Sequence, residues 1–415
     1  MGRQFMQQHI AIIGSGMAGL AAAHYLARAG HRITIFEAQS GHGMDAHSLQ
    51  WQGGLVDVPL RVMSPQVWGS VIDLAASVGV STFPVQTFAA CSWLDDQSTW
   101  FRSSRLLGMP SVGSWRHLGL NSARLAQGFW QLRHCLAKLQ ADDPRSLAEL
   151  LADTPFDPLF WRGLVLPLLT TICTCDEQHL LAWPAHQLLS LLNTIVHGDT
   201  LVRLHGGTPA LVAALGKGLT RISGSPVQSV REHAEGIEVR NARSEGGVFD
   251  RVVVATQANQ LGFLDSPWQR EQALLKGIRF DHGELWVHTD TRFLPAKRSD
   301  WSALNYTISR DLSSAMFSVW VNAVEPSLSN AAPILQTWNP LFEPEDEHVI
   351  ARVPLARAVV HSGTKSVHEQ LRKLHAEPDR RVFFCGSWAH AGVPLLESAV
   401  RSAQAVAALI PALTR

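Results

Sequence analysis

Three glycines near the start of the chain, Gly14, Gly16 and Gly19, have the spacing of a turn that binds a diphosphate. Gly14 allows a tight bend, Gly16 allows a ligand to approach the backbone, and Gly19 allows a helix to pack closely. Glu37 follows 23 positions after Gly14, where a carboxylate accepts hydrogen bonds from ribose hydroxyls and repels a 2′-phosphate. These residues predict a site for FAD or NAD and disfavour NADP.

The elements around these glycines have the order that phosphate binding requires. Residues 9–13 are an apolar run that predicts a buried strand, and residues 20–29 are an alanine-rich helix former. Gly30 stands where a helix C-cap belongs, and residues 32–36 predict a second strand. The helix would begin at the glycine turn and offer its free N–H groups and positive dipole end to a phosphate. The start of the chain therefore predicts a Rossmann-like β-α-β unit.

Composition limits the classes of function. A length of 415 residues predicts two or three domains, and 46% hydrophobic residues suit a large core. The 35 Lys+Arg balance the 35 Asp+Glu, so no net charge favours nucleic acid. No apolar run reaches the ~18 residues of a membrane span. Five cysteines are too few for a disulfide framework in a chain of this length, which favours a cytoplasmic protein.

Further motifs carry a resemblance to a known family through their order along the chain. They are residues 56–62 (Val-Asp-Val-Pro-Leu-Arg-Val), residues 205–215 beginning His-Gly-Gly-Thr, residues 225–227 (Ser-Pro-Val), residues 251–256 ending in Ala-Thr, and residues 383–402, which include Phe-Phe-Cys-Gly-Ser-Trp. Together with the N-terminal unit, they resemble the flavin amine oxidase and phytoene desaturase superfamily, and within it a bacterial branch of predicted NAD/FAD-binding, amine-oxidase-like proteins. The resemblance runs over most of the chain and implies FAD as the cofactor.

This resemblance implies an α/β fold in which a Rossmann-like FAD-binding domain is interleaved with an α+β substrate domain. We expect residues 1–78, 200–262 and 376–415 to form the FAD-binding domain, and residues 79–199 and 263–375 to form the substrate or cap domain. Val227 would hold the adenine side, the turn at Gly386 the pyrophosphate and ribityl chain, and N–H groups near Leu395 and Leu396 the N1/C2=O edge of the flavin. The residues expected to bind FAD are Gly14, Ser15, Gly16, Met17, Ala18, Gly19, Glu37, Ala38, Gly43, Arg61, Val227, Ala255, Gly386, Ser387, Leu395, Leu396 and Ala399.

Two departures from the family pattern affect these expectations. The family's paired glycines and basic residue after the ribose-binding Glu are replaced by Gly41-His42-Gly43, which leaves His42, His47 and Arg61 as alternatives for the pyrophosphate contact. Many amine oxidases also hold the substrate amine between two aromatic rings, one at a position that aligns with Leu395. The chain has two tyrosines, one of them in the first predicted helix. A two-tyrosine cage is therefore excluded, although Tyr306 or Trp388 could supply one ring.

Other polar residues offer weaker hypotheses for catalysis. Lys276 either corresponds to the lysine that holds a water against flavin N5 in amine oxidases or is a solvated lysine at the start of a strand. Four residues could each accept a proton or be an ordinary core or surface group. They are His288, His361, His390 and Asp281. We assign no general base.

Cysteines and tryptophans are each open to two interpretations. Cys173 and Cys175, with two nearby histidines, lack the usual two-residue gap of a metal site, and we predict no metal. Cys385 could bind the flavin covalently or be a packed thiol. Six tryptophans between residues 80 and 200 are either core residues or the lining of an apolar tunnel; they are Trp93, Trp100, Trp115, Trp130, Trp161 and Trp183.

The sequence thus predicts an FAD-dependent oxidoreductase that takes a hydride from a C–H bond of a hydrophobic small molecule or lipid-like substrate, by dehydrogenation or desaturation. Two alternatives stay open. One is an FAD-dependent amine oxidase, and the other is a flavin-bound isomerase or scaffold without net redox chemistry.

Overall fold

The computed structural model describes residues 7–41, 43–106, 109–112, 117–140, 143–173, 175–197, 200–264 and 266–411. The strands in these ranges are β1 (His9–Ile13), β2 (Arg32–Glu37), β3 (Leu49–Trp51), β4 (Gly54–Val56), β5 (Thr82–Val85), β6 (Ala89–Trp93), β7 (Thr99–Leu106), β8 (Met109–Val112), β9 (Leu201–Leu204), β10 (Thr220–Ser223), β11 (Val227–His233), β12 (Gly236–Asn241), β13 (Gly246–Phe249), β14 (Arg251–Val254), β15 (Arg279–His288), β16 (Leu304–Ile308), β17 (Ala315–Trp320), β18 (Leu335–Trp338), β19 (Val349–Val359) and β20 (Val382–Phe384). The helices are α1 (Met17–Arg28), α2 (Gly69–Ser77), α3 (Leu120–Lys138), α4 (Leu147–Asp153), α5 (Pro158–Phe160), α6 (Leu166–Cys173), α7 (Glu177–Leu181), α8 (Ala185–His197), α9 (Gly207–Gly216), α10 (Gln269–Leu275), α11 (Thr364–His375) and α12 (Leu396–Leu409). None of these helices is both long enough and apolar enough to cross a membrane.

A five-stranded parallel sheet in the order β10-β2-β1-β14-β20 brings both ends of the chain together. Its central strand β1 is apolar and buried from Ile10 to Ile13, because both faces of a parallel sheet are covered. Ile10 and Ile12 pack into one hydrophobic cluster, and Ala11 and Ile13 pack into another. This arrangement confirms the predicted α/β fold with a Rossmann-like unit.

Helices α1 and α12 cover one face of the parallel sheet and contact each other. Three consecutive alanines of α1, residues 21–23, are fully buried and let the helix lie close to its neighbours. The other face packs against the antiparallel sheet β11-β12-β13 and against α10 and α11. Both of these helices come from a segment that the sequence assigned to the substrate domain, and they share a cluster with Val252 and Val254.

The second large sheet has eight strands in the order β19-β15-β18-β17-β16-β6-β7-β8. Its pairs are antiparallel except for β16 with β6, which are parallel. Residues of helices α3 to α8 form one hydrophobic cluster with this sheet. It includes Phe160 and Leu169 from the helices, Trp183 from the connection between α7 and α8, and Tyr306 from β16. Helices and strands are thus segregated here, as expected for an α+β substrate domain.

Residues 53–62, which are part of the connection between the parallel sheet and the eight-stranded sheet, form little regular strand. Only Gly54–Val56 forms a strand, paired with β3, because the following residues bond to side chains of distant elements instead. Gln336 of β18 donates from Nε2 to the Asp57 carbonyl at 2.6 Å and accepts from the Leu60 N–H at 2.8 Å. These bonds fix residues 57–60 against the eight-stranded sheet.

Candidate cofactor and active site

A cavity of about 510 Å³ lies between the two large sheets. On one side it is lined by residues that directly follow strands of the parallel sheet: Gly16 after β1, Ala255 after β14 and Gly386 after β20. On the other side it is lined by strands of the eight-stranded sheet, with Phe280 of β15 and Trp338 of β18 among them. Open α/β sheets bind ligands at the carboxyl ends of their strands, which is where this cavity lies.

The glycine turn has the geometry that the sequence predicts. Gly14 has φ +102°, a conformation that favours glycine. A Cβ on Gly19 would lie 1.9 Å from the Gly14 carbonyl oxygen, so only glycine lets α1 begin so close to the turn. A Cβ on Gly16, in contrast, would meet nothing within 4 Å. Gly16, Met17 and Ala18 line the cavity, whereas Gly14 and Gly19 support the turn from behind.

Glu37 lies at the end of β2 and binds the same turn. Its Oε2 accepts hydrogen bonds from the Ser15 N–H at 2.9 Å and from the Ser15 Oγ at 2.7 Å, and its Oε1 accepts from the Gln39 N–H at 3.0 Å. The Gly43 N–H donates to the Ser15 Oγ at 2.9 Å, and a Cβ on Gly43 would lie 2.5 Å from the Glu37 carboxylate. Gly43 therefore helps to hold the glycine turn in place. His42 lies outside the described residues.

The start of the last helix meets the cavity from the opposite end of the chain. Leu395, Leu396 and Ala399 line it, and the N-cap residue Leu395 has no side-chain hydrogen bond to the helix. The N-terminus of α1 is uncapped in the same way at Gly16. The first N–H groups of a helix have no partner within the helix, and they carry the positive end of its dipole. Two helix ends that favour negative charge thus face one cavity.

The residues present fit FAD, which is a diphosphate with a ring that becomes negatively charged at N1 when reduced. The open space at Gly16 leaves room for a phosphate against the backbone, and α12 offers N–H groups for the ring. Gly386 and Ser387 line the cavity between these two ends. A Cβ on Gly386 would lie 2.3 Å from the Trp388 Nε1, so glycine is needed for this tryptophan to pack.

Besides the residues that support the glycine turn, two predicted FAD contacts lie away from the cavity, and a third lines it beside the eight-stranded sheet. Ala38 is exposed beside Glu37, and Val227 is half-buried at the start of β11; neither lines the cavity. Arg61 does line it, but it follows Leu60, which is bonded to Gln336 of the eight-stranded sheet. Arg61 thus lines the cavity next to a residue that is bonded to the eight-stranded sheet.

Of the four catalytic candidates, the structure brings two to the cavity. Tyr306 is buried and lines it beside Thr171, and burial raises the pKa of its phenol, which keeps that group neutral. Trp388 also lines it and donates from Nε1 to the Thr256 carbonyl at 3.0 Å. Lys276 is exposed at the end of α10, and His390 is half-buried with its Nδ1 2.8 Å from the Ala391 carbonyl oxygen; neither lines the cavity.

The other proposed proton acceptors have structural partners elsewhere. His288 is fully buried, with Nε2 2.9 Å from the Thr337 Oγ1. His361 has Nε2 3.0 Å from the Gly277 carbonyl oxygen, and Asp281 accepts from the Asp176 N–H at 3.2 Å. Among the described residues that line the cavity there is no histidine, lysine, aspartate or glutamate, so the chain offers no side-chain base there.

The cysteines are buried and unpaired. Burial raises the pKa of both Cys175 and Cys385 to about 12, and Cys385 packs with Sγ 3.9 Å from the Ala18 carbonyl oxygen without lining the cavity. Cys385 is therefore a packed thiol here. Neither Cys173 nor Cys175 belongs to a group of closely spaced metal-ligand atoms in the described ranges; one such group consists of Asp176, His179 and Asp281.

The tryptophan cluster is core, apart from one exposed member. Trp100, Trp161 and Trp183 are buried in the cap cluster, Trp93 stacks on Trp100, and Trp130 is 68% exposed. None of these five lines the cavity, and Trp115 lies outside the described residues. The tryptophans that do line it are Trp68, Trp338 and Trp388.

Sequence reasoning did not find Gln336 or Arg357, which both line the cavity. It also did not find Arg203, whose guanidinium is buried against Asp57 and Glu325. The signal for Arg203 is an arginine inside the apolar strand β9, where a charge requires a partner. Arg357 gives a similar signal, because it lies between Ala356 and Ala358 in a strand that is otherwise apolar apart from Arg352.

Comparisons with known proteins agree with this geometry. A 66-residue stretch is 41% identical to the 4,4′-diapophytoene desaturase (4,4′-diaponeurosporene-forming) of Staphylococcus aureus, which is 16% of this chain and 13% of that protein. The match thus spans about an eighth of the relative's length.

Two solved structures are similar over nearly the whole chain. Putrescine oxidase bound to putrescine has a TM-score of 0.68 at 17% identity and covers 97% of this chain and 98% of its own. A fatty acid isomerase from P. acnes that produces CLA has a TM-score of 0.67 at 16% identity and covers 96% and 97%. At this level of identity the likeness shows the fold.

The sequence profile of the flavin-containing amine oxidoreductases matches residues 17–353, most of the chain. That span includes α1, Glu37 and the segment that carries Arg61. The chain belongs to the flavin-containing amine oxidoreductase family and is an FAD-dependent oxidoreductase.

Proposed function

We propose that this enzyme takes a hydride from a C–H bond of a hydrophobic small molecule or lipid-like chain, in a dehydrogenation or desaturation. The apolar lining on the substrate side of the cavity is the observation that supports this proposal. It consists mainly of aliphatic and aromatic side chains from the eight-stranded sheet and from α6, among them Leu168, Ile172, Phe280, Phe317 and Trp338. An apolar lining of this kind binds an apolar ligand by removing its surface from water.

When bound, FAD supplies the acceptor for the hydride, while a second hydrogen leaves the substrate as a proton to solvent. The chain's own residues supply position and electrostatics. The N–H groups at the start of α12 stabilise negative charge, and the apolar residues hold the substrate. Because no described residue lining the cavity is a carboxylate, imidazole or amine, the proposal assigns no side-chain base.

Two of the similar proteins are named as a 4,4′-diapophytoene desaturase and a fatty acid isomerase, and neither name refers to an amine. The desaturase match is local and the isomerase match is structural, so they support the proposal without naming a substrate. Five unpaired, buried cysteines support the proposed cytoplasmic location.

Amine oxidation is the second candidate, and the family description favours it. Two features of the cavity oppose it. The position of one cage ring is occupied by Leu395, and the charged residues in the described lining are two arginines, Arg61 and Arg357, which repel a protonated amine.

A substrate panel tests the proposal. Purified protein is mixed without oxygen with long-chain alkenes and saturated chains, and separately with primary and secondary amines, while flavin absorbance is followed. We expect bleaching of the flavin with apolar chains. Bleaching with amines alone, with peroxide formed when oxygen is added, would establish amine oxidation instead. If FAD is bound but neither the apolar chains nor the amines bleach it, the result would support an isomerase or scaffold.

A further inference from the structure

Two half-buried arginine side chains line the cavity. Arg61 and Arg357 are the charged residues among its described lining. Within the described ranges neither guanidinium makes an ion pair, and the Nε of Arg61 is buried without a hydrogen-bond partner. A buried charge costs free energy unless it is paired, so two like charges in one apolar cavity call for an anion.

The carboxylates nearest to these arginines are bonded to other groups. Asp57 accepts from the Arg203 Nη2 at 3.1 Å and from the Thr208 N–H at 2.9 Å. Asp281 lies opposite Arg357 across the β15–β19 pair, yet its oxygens accept from the N–H groups of Asp176 and His282. The charge of Asp57 acts on Arg61, but neither carboxylate forms an ion pair with Arg61 or Arg357, so the cavity still has positive charge available for a ligand.

The two arginines affect each other, and both are held in place. Burial lowers the pKa of each, and the charge of Arg61 further lowers that of Arg357, to about 10. Arg357 lies on β19, and Arg61 follows the residues that Gln336 fixes. The Arg61 carbonyl also accepts from the Arg203 Nε at 3.3 Å. Such fixed, neighbouring guanidinium groups suit a carboxylate, which accepts two parallel hydrogen bonds from each fork.

We propose that Arg61 and Arg357 bind a carboxylate of the substrate, so that the substrate class is a hydrophobic carboxylic acid. This inference rests on the proposed function and makes it more specific. The apolar lining holds the chain or ring, and the arginine pair fixes one end, which determines the carbon that faces the flavin. The glycine turn that would hold the diphosphate of FAD follows β1 of the parallel sheet, whereas Arg357 lies on β19 of the eight-stranded sheet.

Calorimetric titration of the holoenzyme with three matched probes tests the proposal: decanoate, methyl decanoate and decylamine. We expect decanoate to bind about tenfold or more tightly than the ester, because the ester lacks the charge that the guanidinium groups bind. Decylamine is expected to bind more weakly than both. Equal binding of decanoate and methyl decanoate, or no binding of decanoate, would overturn the proposal without any variant.

Variants assign the effect to the two arginines. Arg61→Gln and Arg357→Gln should each remove the preference for decanoate over its ester and leave the FAD content per chain unchanged. Arg352→Gln is the matched control, because Arg352 lies exposed on the same strand, with its guanidinium carbon 3.6 Å from the centre of the Trp286 ring, and does not line the cavity. Arg352→Gln should still bind decanoate more tightly than methyl decanoate. Loss of FAD in the Arg61 or Arg357 variants would overturn the proposal, since these residues would then serve the cofactor.

The same experiment separates this inference from the proposed function. If neutral apolar compounds bleach the flavin while the acid is not preferred over its ester, the arginine assignment is wrong and the hydride transfer stands. If decanoate is preferred and the preference depends on the arginines, but no compound of the panel bleaches the flavin, the carboxylate site stands and the redox reaction does not.

Discussion

Arg203 forms an ion pair with Asp57, with the Nη2 of the arginine 3.1 Å from the carboxylate and both side chains almost fully buried. The same guanidinium binds Glu325 through Nη1 at 2.5 Å and the Val324 carbonyl at 3.0 Å. Asp57 lies in the segment that carries Arg61, Arg203 in β9, and Glu325 beyond β17. One buried cation thus joins three distant parts of the chain beside the cavity.

Replacing Arg203 by Met should destabilise the protein strongly, because two buried carboxylates lose their counter-charge. We expect the free energy of unfolding in urea to fall by about 3–5 kcal/mol. The control is Arg240→Met, which breaks a surface pair with Glu238 and should cost about 1 kcal/mol or less. Equal effects of the two variants would show that the buried network contributes no more than a surface ion pair.

Gly16 and Gly19 should respond differently to the same substitution. Gly16 has φ −67° and open space at its Cβ position, so Gly16→Val should fold normally and lose FAD, whose diphosphate needs that space. Gly19→Val should fold poorly, since its Cβ would overlap the Gly14 carbonyl oxygen. Thermal unfolding of the apoprotein and the FAD content per chain separate these outcomes. A Gly16→Val protein with full FAD content would refute the diphosphate site.

Glu37→Ala removes the acceptor of three hydrogen bonds at the glycine turn and the predicted acceptor for the ribose hydroxyls. We expect the affinity of the apoprotein for FAD to fall by about tenfold or more, because bonds to a charged acceptor are strong. Fluorescence titration with FAD measures this. Glu232→Ala, on the exposed strand β11, is the control. An unchanged affinity in Glu37→Ala would place the ribose elsewhere.

Acid should destabilise the protein between about pH 6.5 and pH 4. Burial lowers the pKa of His375 and of His288 to about 4 in the folded protein, from 6.5. In that window the unfolded chain binds more protons, so the free energy of unfolding falls as the pH falls, by up to about 1.4 kcal/mol per pH unit for each histidine.

His375 provides the variant for this prediction, because its Nε2 accepts from the Phe384 N–H at 3.0 Å and protonation would break that bond. In His375→Gln, the slope of unfolding free energy against pH should be shallower than in the wild type. Urea unfolding at several pH values gives both slopes, and His233→Gln, at an exposed position, controls for the substitution itself. Identical slopes in the wild type and His375→Gln would contradict the assignment.

The sequence allowed the cofactor side of the site to be predicted in more detail than the substrate side. Gly14 and Gly19 are recognisable because backbone conformation and close packing permit only glycine there. Glu37 is recognisable because it closes the next strand of the same β-α-β unit. These constraints act within 30 residues of chain, where residue spacing defines spatial proximity.

The substrate side depends on contacts between distant segments. Gln336 reaches residues 57–60, and Arg357 meets Arg61 across nearly 300 residues, through strand pairing that residue spacing does not reveal. For the tryptophans of residues 80–200, closeness in sequence did not predict a shared position at the cavity. They are neighbours in sequence, but Trp183 packs inside the cap, whereas Trp338 and Trp388 from later segments line the cavity.

The chromophore of the purified protein tests the central claim most directly. The protein should be yellow with the visible absorption bands of a flavin, and heat should release one FAD per chain, identified by chromatography. A colourless protein that does not take up FAD on reconstitution would contradict the assignment of both helix ends and of the cavity between them.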